Sequence, residues 1–170
     1  QAYSVDDEGA WNFTEERSVE VLEVNEAPDV PVVGLVSVDG LNLSSSDLNC
    51  SSVLLDSDGD DLNVSVRWYL NGVLNLSLDY NNSYIDGIEV GFVLGSGNTT
   101  KGENWSCSLN LFDGSLWSGW GNSSNLSVLN SFPGIEFVNV TPENGSSQSA
   151  DYVYVNYSVS DSDGDGVYSF

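Results

Sequence analysis

The chain predicts an all-β fold of sandwich modules in tandem, on three observations: apolar and polar residues alternate, turn signals recur at short spacing, and landmarks return after 105 residues. Leu62, Val64, Val66 and Trp68 alternate with Asn63, Ser65 and Arg67, and Trp105, Cys107, Leu109 and Leu111 alternate with Ser106, Ser108 and Asn110. Successive side chains of a strand point to opposite faces, so each run reads as a strand with one face inward. Turns are expected at Asp39-Gly40, Asp58-Gly59, Asn71-Gly72, Asp86-Gly87, Gly95-Ser96-Gly97 and Asp113-Gly114, the rhythm of a β-sandwich. No run carries a convincing helical period.

The repeat organises the rest. Asp56-Ser57-Asp58-Gly59-Asp60 returns as Asp161-Ser162-Asp163-Gly164-Asp165, and the same offset carries Glu8 onto Asp113, Gly9 onto Gly114, Asn25 onto Asn130 and Pro28 onto Pro133. The matches fall on turns and boundaries, as they do when repeated units share a backbone while their strands diverge. The expected division is therefore the last strands of one module at 1–28, a complete module at 29–133 and the first strands of another at 134–170. Junctions at Ala27-Pro28-Asp29 and Phe132-Pro133-Gly134 would set the angle between them. On this reading the chain begins and ends in mid-domain. The two partial pieces correspond to 106–132 and 29–65 and cannot complete one sandwich between them. A longer natural polypeptide, or strands added by neighbouring copies, is expected.

Composition bounds the partners. Against 26 Asp and Glu stand only Arg17, Arg67 and Lys101, a net charge of −23. Phosphate binding needs a basic surface, so nucleic acid is excluded as a partner, and cations are the natural one. A chain this acidic repels itself in dilute salt, so its stability is expected to depend on divalent ions, on high ionic strength, or on both. The hydrophobic fraction of 40% is enough for real cores. No stretch of about 18 apolar residues could span a bilayer, and no basic-then-apolar signal segment opens the chain.

Cys50, Trp68 and Cys107 resemble the Cys…Trp…Cys signature of immunoglobulin-like domains. The resemblance implies a cross-sheet Cys50–Cys107 disulfide packed on a buried tryptophan; two buried free thiols are the alternative. Trp105 stands two before Cys107, where that family places a corner tyrosine, and Ala2 or Tyr3 and Val155 occupy the cysteine positions in the flanking pieces. Asp56-Ser57-Asp58-Gly59-Asp60-Asp61-Leu62 leading into Val66-Arg67-Trp68 is also similar to the loop-then-strand of PKD-like and cadherin-like repeats in surface proteins, archaeal ones especially.

Of eighteen asparagines, thirteen begin Asn-x-Ser/Thr triplets: Asn12, Asn42, Asn49, Asn63, Asn75, Asn81, Asn98, Asn104, Asn122, Asn125, Asn139, Asn144 and Asn156. The Ser and Thr content alone accounts for only about three. N-linked glycans are therefore expected, on an exported protein at a cell surface or in a filament. Asn49, Asn63, Asn75, Asn104, Asn125 and Asn156 each adjoin an apolar residue, so parity turns these amides outward and both outer sheet faces should carry sugar.

Asp56, Asp58, Asp60 and the adjacent Asp61, and again Asp161, Asp163 and Asp165, alternate carboxylates around a glycine, the way calcium loops gather hard oxygen ligands. The EF-hand pattern is absent, since Arg67 stands at the twelfth position. A plain acidic turn is the alternative. Trp117 and Trp120 follow Asp113-Gly114 in an expected hairpin, where they either contact a sugar or a neighbouring subunit, or cap the end of a core. Without histidine no Ser-His-Asp or Cys-His arrangement can form, and phosphate loops and zinc spacings are missing. The expectation is a non-enzymatic structural segment whose partners are copies of itself or adjacent repeats end to end. The alternatives are an adhesin or carbohydrate-binding module, and an accessory domain of a secreted hydrolase.

Overall fold

A computed structural model describes residues 2–14, 17–20, 22, 24–138 and 141–168, with the backbone alone at Phe13. Its strands in chain order are β1 (Tyr3–Val5), β2 (Trp11–Phe13), β3 (Gly34–Ser37), β4 (Leu48–Val53), β5 (Leu62–Leu70), β6 (Val73–Tyr84), β7 (Glu89–Leu94), β8 (Asn104–Phe112), β9 (Gly121–Asn122), β10 (Leu126–Ser127), β11 (Gly134–Phe137) and β12 (Tyr157–Ser160). No α-helix occurs among the described residues.

Two sheets face each other. One has the order β3-β4-β7; the other runs β10-β8-β5-β6, with β9 also pairing β8. Their inward residues are the apolar partners of the alternating runs. Leu48, Cys50, Val90, Phe92 and Leu94 meet Leu62, Val64, Val66, Trp68, Trp105, Cys107, Leu109 and Leu111, all buried. Cys50 on β4 and Cys107 on β8 are joined, with Cα atoms 6.3 Å apart, and Trp68 on β5 stands directly opposite Cys107 in the ladder. A B–F-type bridge between sheets against a tryptophan of the C-type strand makes this an immunoglobulin-like sandwich. Trp105, in the place of the corner tyrosine, is fully buried; it meets Trp68 edge-on at 6.5 Å and donates its indole N–H to the Glu103 carboxylate at 3.0 Å.

The turns fall where the Gly pairs predict. Asn71 and Gly72 take φ of 51° and 80°, both left-handed, as the tight β5–β6 hairpin requires. Gly121 is needed for a different reason: a Cβ there would lie 1.9 Å from the Pro31 carbonyl oxygen, because the incoming segment 30–31 is laid on the β9 backbone. That segment is further held by the Asp29 N–H donating to the Leu55 carbonyl at 3.0 Å and the Ser52 hydroxyl donating to the Val32 carbonyl at 3.0 Å. At the other end Leu129 bridges Leu43 in parallel.

Outside the sandwich, β1–β2 and β11–β12 are separate two-stranded hairpins with exposed apolar side chains, Trp11, Ile135 and Phe137 among them. The β11–β12 ladder pairs Gly134 with Ser160, positions that lie 105 residues after the bonded pair Asp29 and Leu55. Replacing both Cys50 and Cys107 by Ala reopens a loop of 57 residues. The expected loss is about 4 kcal/mol of unfolding free energy, read by urea titration; an unchanged midpoint would mean that packing alone holds the sheets.

Candidate functional site

The Asp loops are the most chemically loaded features. Between β4 and β5 the chain turns at Gly59, φ 76°, and Asp56 organises the turn from within. Its Oδ1 accepts the N–H of Asp58 at 2.8 Å and that of Asp60 at 3.5 Å, while its carbonyl accepts from Gly59 at 3.2 Å. Asp86 reaches across to accept the Asp56 N–H at 2.8 Å. The result brings one carboxylate oxygen each of Asp56, Asp58 and Asp60 within 4.8 Å of one another. Asp61 is exposed and outside that group. Asp56 is 8% exposed, and its Oδ2 is buried without a hydrogen-bond partner. A buried carboxylate oxygen left unmet is costly, and a hard cation is the chemistry that would meet it.

The second loop copies the first. Asp161 Oδ1 accepts from Asp163 at 2.8 Å and from Asp165 at 3.4 Å, with Gly164 at φ 73°, and the three carboxylates again converge. Each loop also grips the segment that precedes it. The Glu26 N–H donates to Asp58 Oδ2 at 2.6 Å, and the Ser131 N–H donates to Asp163 Oδ2 at 2.6 Å. Both partners are displaced by the same 105 residues. Asn25 and Asn130 match as well, each donating its side-chain amide to the carbonyl of the next residue.

What surrounds the two loops differs. At the first, no cationic side chain is paired with the carboxylates among the described residues: burial, then Asp56, Asp113, Asp58 and Asp61, push the Asp60 carboxyl above the ordinary range. Neighbouring Asp113 is itself burdened by burial, yet the N–H of Leu116, the Asn25 amide and the N–H of Ser115 outweigh it and hold that carboxyl low. At the second loop the Ser44 hydroxyl donates to Asp163, and with the Ser131 N–H and Lys101 it lowers that carboxyl. The Lys101 ammonium is paired with Asp165, which raises its own pKa. One loop thus concentrates unbalanced negative charge; the other has a resident counter-ion. Sequence reading missed Ser44, Ser131, Lys101, Asp86 and Asp113 as contributors, although carrying Asn25 onto Asn130 already pointed at the tethered segments.

None of the twelve described sequon asparagines is buried. Asn12, Asn75, Asn81, Asn98, Asn104, Asn122, Asn125, Asn144 and Asn156 are exposed, and Asn42, Asn49 and Asn63 are half-buried; Asn139 lies outside the described residues. Parity holds at Asn49, Asn63, Asn104 and Asn125, whose neighbours Cys50, Val64, Trp105 and Leu126 are buried, while Leu76 beside Asn75 is half-buried. It fails at Asn156: Val155 is 55% exposed because, among the described residues, no second sheet covers that hairpin. The two outer faces are unequal. In strands, the five-stranded sheet carries Asn63, Asn75, Asn81, Asn104 and Asn122, whereas the three-stranded sheet carries Asn49 alone.

Neither tryptophan of the 117–120 segment caps the core. Trp117 stacks on Phe112 at 4.5 Å on the outer face of the five-stranded sheet and is 53% exposed. Trp120 is half-buried over Arg67, whose guanidinium carbon lies 4.0 Å from the ring centre. Beneath them the outward Asn110 and Ser108 are buried, bonded to the Ser118 carbonyl and the Asn122 side chain at 2.6 Å each.

In fold, the chain is similar to the PKD domain of an M14-like peptidase from Thermoplasmatales archaeon SCGC AB-540-F20, at 21% identity and a TM-score of 0.49, over 62% of this chain and 99% of that one. No family model matches the chain, and no curated protein does.

A carboxyl held above its ordinary range opposes folding once ionised, so the first loop weakens the fold as pH rises from the ordinary carboxylate range through the Asp60 value, and the penalty is absent below that ordinary range. Asp60→Asn is therefore expected to raise the thermal midpoint measured in chelator. Calorimetry decides it; a substitution that lowers the chelator midpoint contradicts the repulsion.

Proposed function

We propose that this chain is a non-catalytic structural segment of an extracellular protein, built of immunoglobulin-like modules in tandem at 1–28, 29–133 and 134–170, clad in N-linked glycans and stiffened at its junctions. A cell-surface stalk, sheath or filament of the archaeal type that the sequence resembles is the setting. The observation that carries the reading is the duplicated tether. Two acidic loops of one design each hold the N–H of the segment entering their own module, through Glu26 and Asp58 and through Ser131 and Asp163, both at 2.6 Å. A contact repeated with the module period is what an end-to-end array uses to fix the angle between units.

The second loop also leans on the preceding module, through Ser44 and Lys101. Calcium is the ion proposed for Asp56, Asp58 and Asp60, where the donors are all hard oxygens and Asp56 Oδ2 is unmet. Asp161, Asp163 and Asp165 are proposed to rely on Lys101 in its place. The disulfide and the twelve unburied acceptors support an exported, glycan-bearing molecule. The exposed apolar faces of β1–β2 and β11–β12 support further strands, from adjacent repeats or other copies, packing over them. The rival reading, an adhesin using both tryptophans, is weakened at Trp120, whose ring is taken by Arg67.

Electron images of material from the native source are expected to show a beaded rod or fibre, with branched density at the asparagines. Isolated globules with bare asparagines would overturn the proposal.

A further inference from the structure

We propose that Trp117 and Phe112 are a landing platform for the glycan carried by Asn81, and that its first sugars lie in the cleft that the stacked pair shares with Asn81. The inference rests on the reading of Asn81 as a glycan acceptor. β6 is the free edge of the five-stranded sheet. Its ladder with β5 breaks between Leu62, which pairs Tyr84, and Val64, which pairs Tyr80, so Asn81, Asn82 and Ser83 stand opposite Asn63 alone. This bulge is fixed by its own bonds. Ser83 takes φ 49° and gives its N–H to Asn63 Oδ1 at 3.1 Å, and Asn82 donates to the Tyr84 hydroxyl at 2.8 Å. Asn81 is left exposed on the rim of a cleft of about 290 Å³ that it shares with Asn63, Ser65, Asp79, Phe112 and Trp117.

That lining suits a saccharide. Stacking on Phe112 covers one face of the Trp117 indole, and with 53% of the residue exposed the other is open to the C–H face of a sugar ring. Asp79 accepts the Ser65 hydroxyl with one oxygen at 2.6 Å, leaving the second for a sugar hydroxyl. An apolar wall with a few placed polar groups is how small-molecule sites are built. A glycan laid there crosses the outer face of the sheet over β5, from β6 towards β8.

The test uses the natively glycosylated protein, with site occupancy from glycopeptide mass spectra and the rate at which an endoglycosidase releases each glycan from the folded chain. Trp117→Ala is expected to speed release at Asn81 about fivefold and to leave Asn75, on the same strand, unchanged. Trp117→Phe, which keeps an aromatic face, should stay near the wild-type rate. Contacts between sugar protons and the indole by nuclear Overhauser effect are expected in the wild type. Asn81 occupied but released at one rate in both proteins, or a free oligosaccharide displacing the sugar–indole contacts, overturns the platform alone. Asn81 bare in native material overturns both it and the acceptor assignment beneath it.

Discussion

The sandwich depends on one cross-sheet clamp. Cys50 and Cys107 tie β4 to β8 at the centre of each sheet, and Trp68 and Trp105 pack around the bridge edge to face. Once those two strands are fixed, period-two geometry assigns every other side chain to the core or the water. The inward set is apolar throughout β5 and β8, and the outward set is Asn, Ser and Arg with Tyr69 and Phe112. The same rule that builds the interior therefore prepares the exterior: each acceptor beside a buried residue is held out at a fixed height and direction by the residue it adjoins.

Charge is the second constraint. With 26 carboxylates and three cationic side chains, the fold cannot neutralise every acidic cluster. It places Lys101 at the second loop and Arg67 under Trp120, and leaves the first loop unbalanced. Identical turns thus end in opposite electrostatic states, set by residues remote in sequence and not by the motif. This separates a loop whose carboxylates bear on one another from one in which Lys101 is paired with Asp165.

Much of this was legible in the chain. Strands, turns and the exposure of the acceptors follow from local rules, because alternation and Gly-bearing turns act over a few residues, while the disulfide partners came from the resemblance to the Cys…Trp…Cys signature. What was not legible is long-range. Lys101 meeting Asp165, Asp113 loading Asp60 and Trp117 lying on Phe112 depend on how hairpins fold back across a sheet. One expectation slipped where a second layer was assumed: Val155 stays in water because, among the described residues, no sheet faces its hairpin.

The segment from Asp29 to Val32 has a mechanical meaning. It is fastened to Leu55 and Ser52 on one side and pressed against Gly121 on the other, while the exit at Leu129 is stapled to Leu43. Tension along the polypeptide therefore enters and leaves the module through these fastened margins. The clamp at the centre is loaded only after they have given way, so a stretched chain would peel at 29–32 and at 129 while the disulfide-bonded core kept its shape.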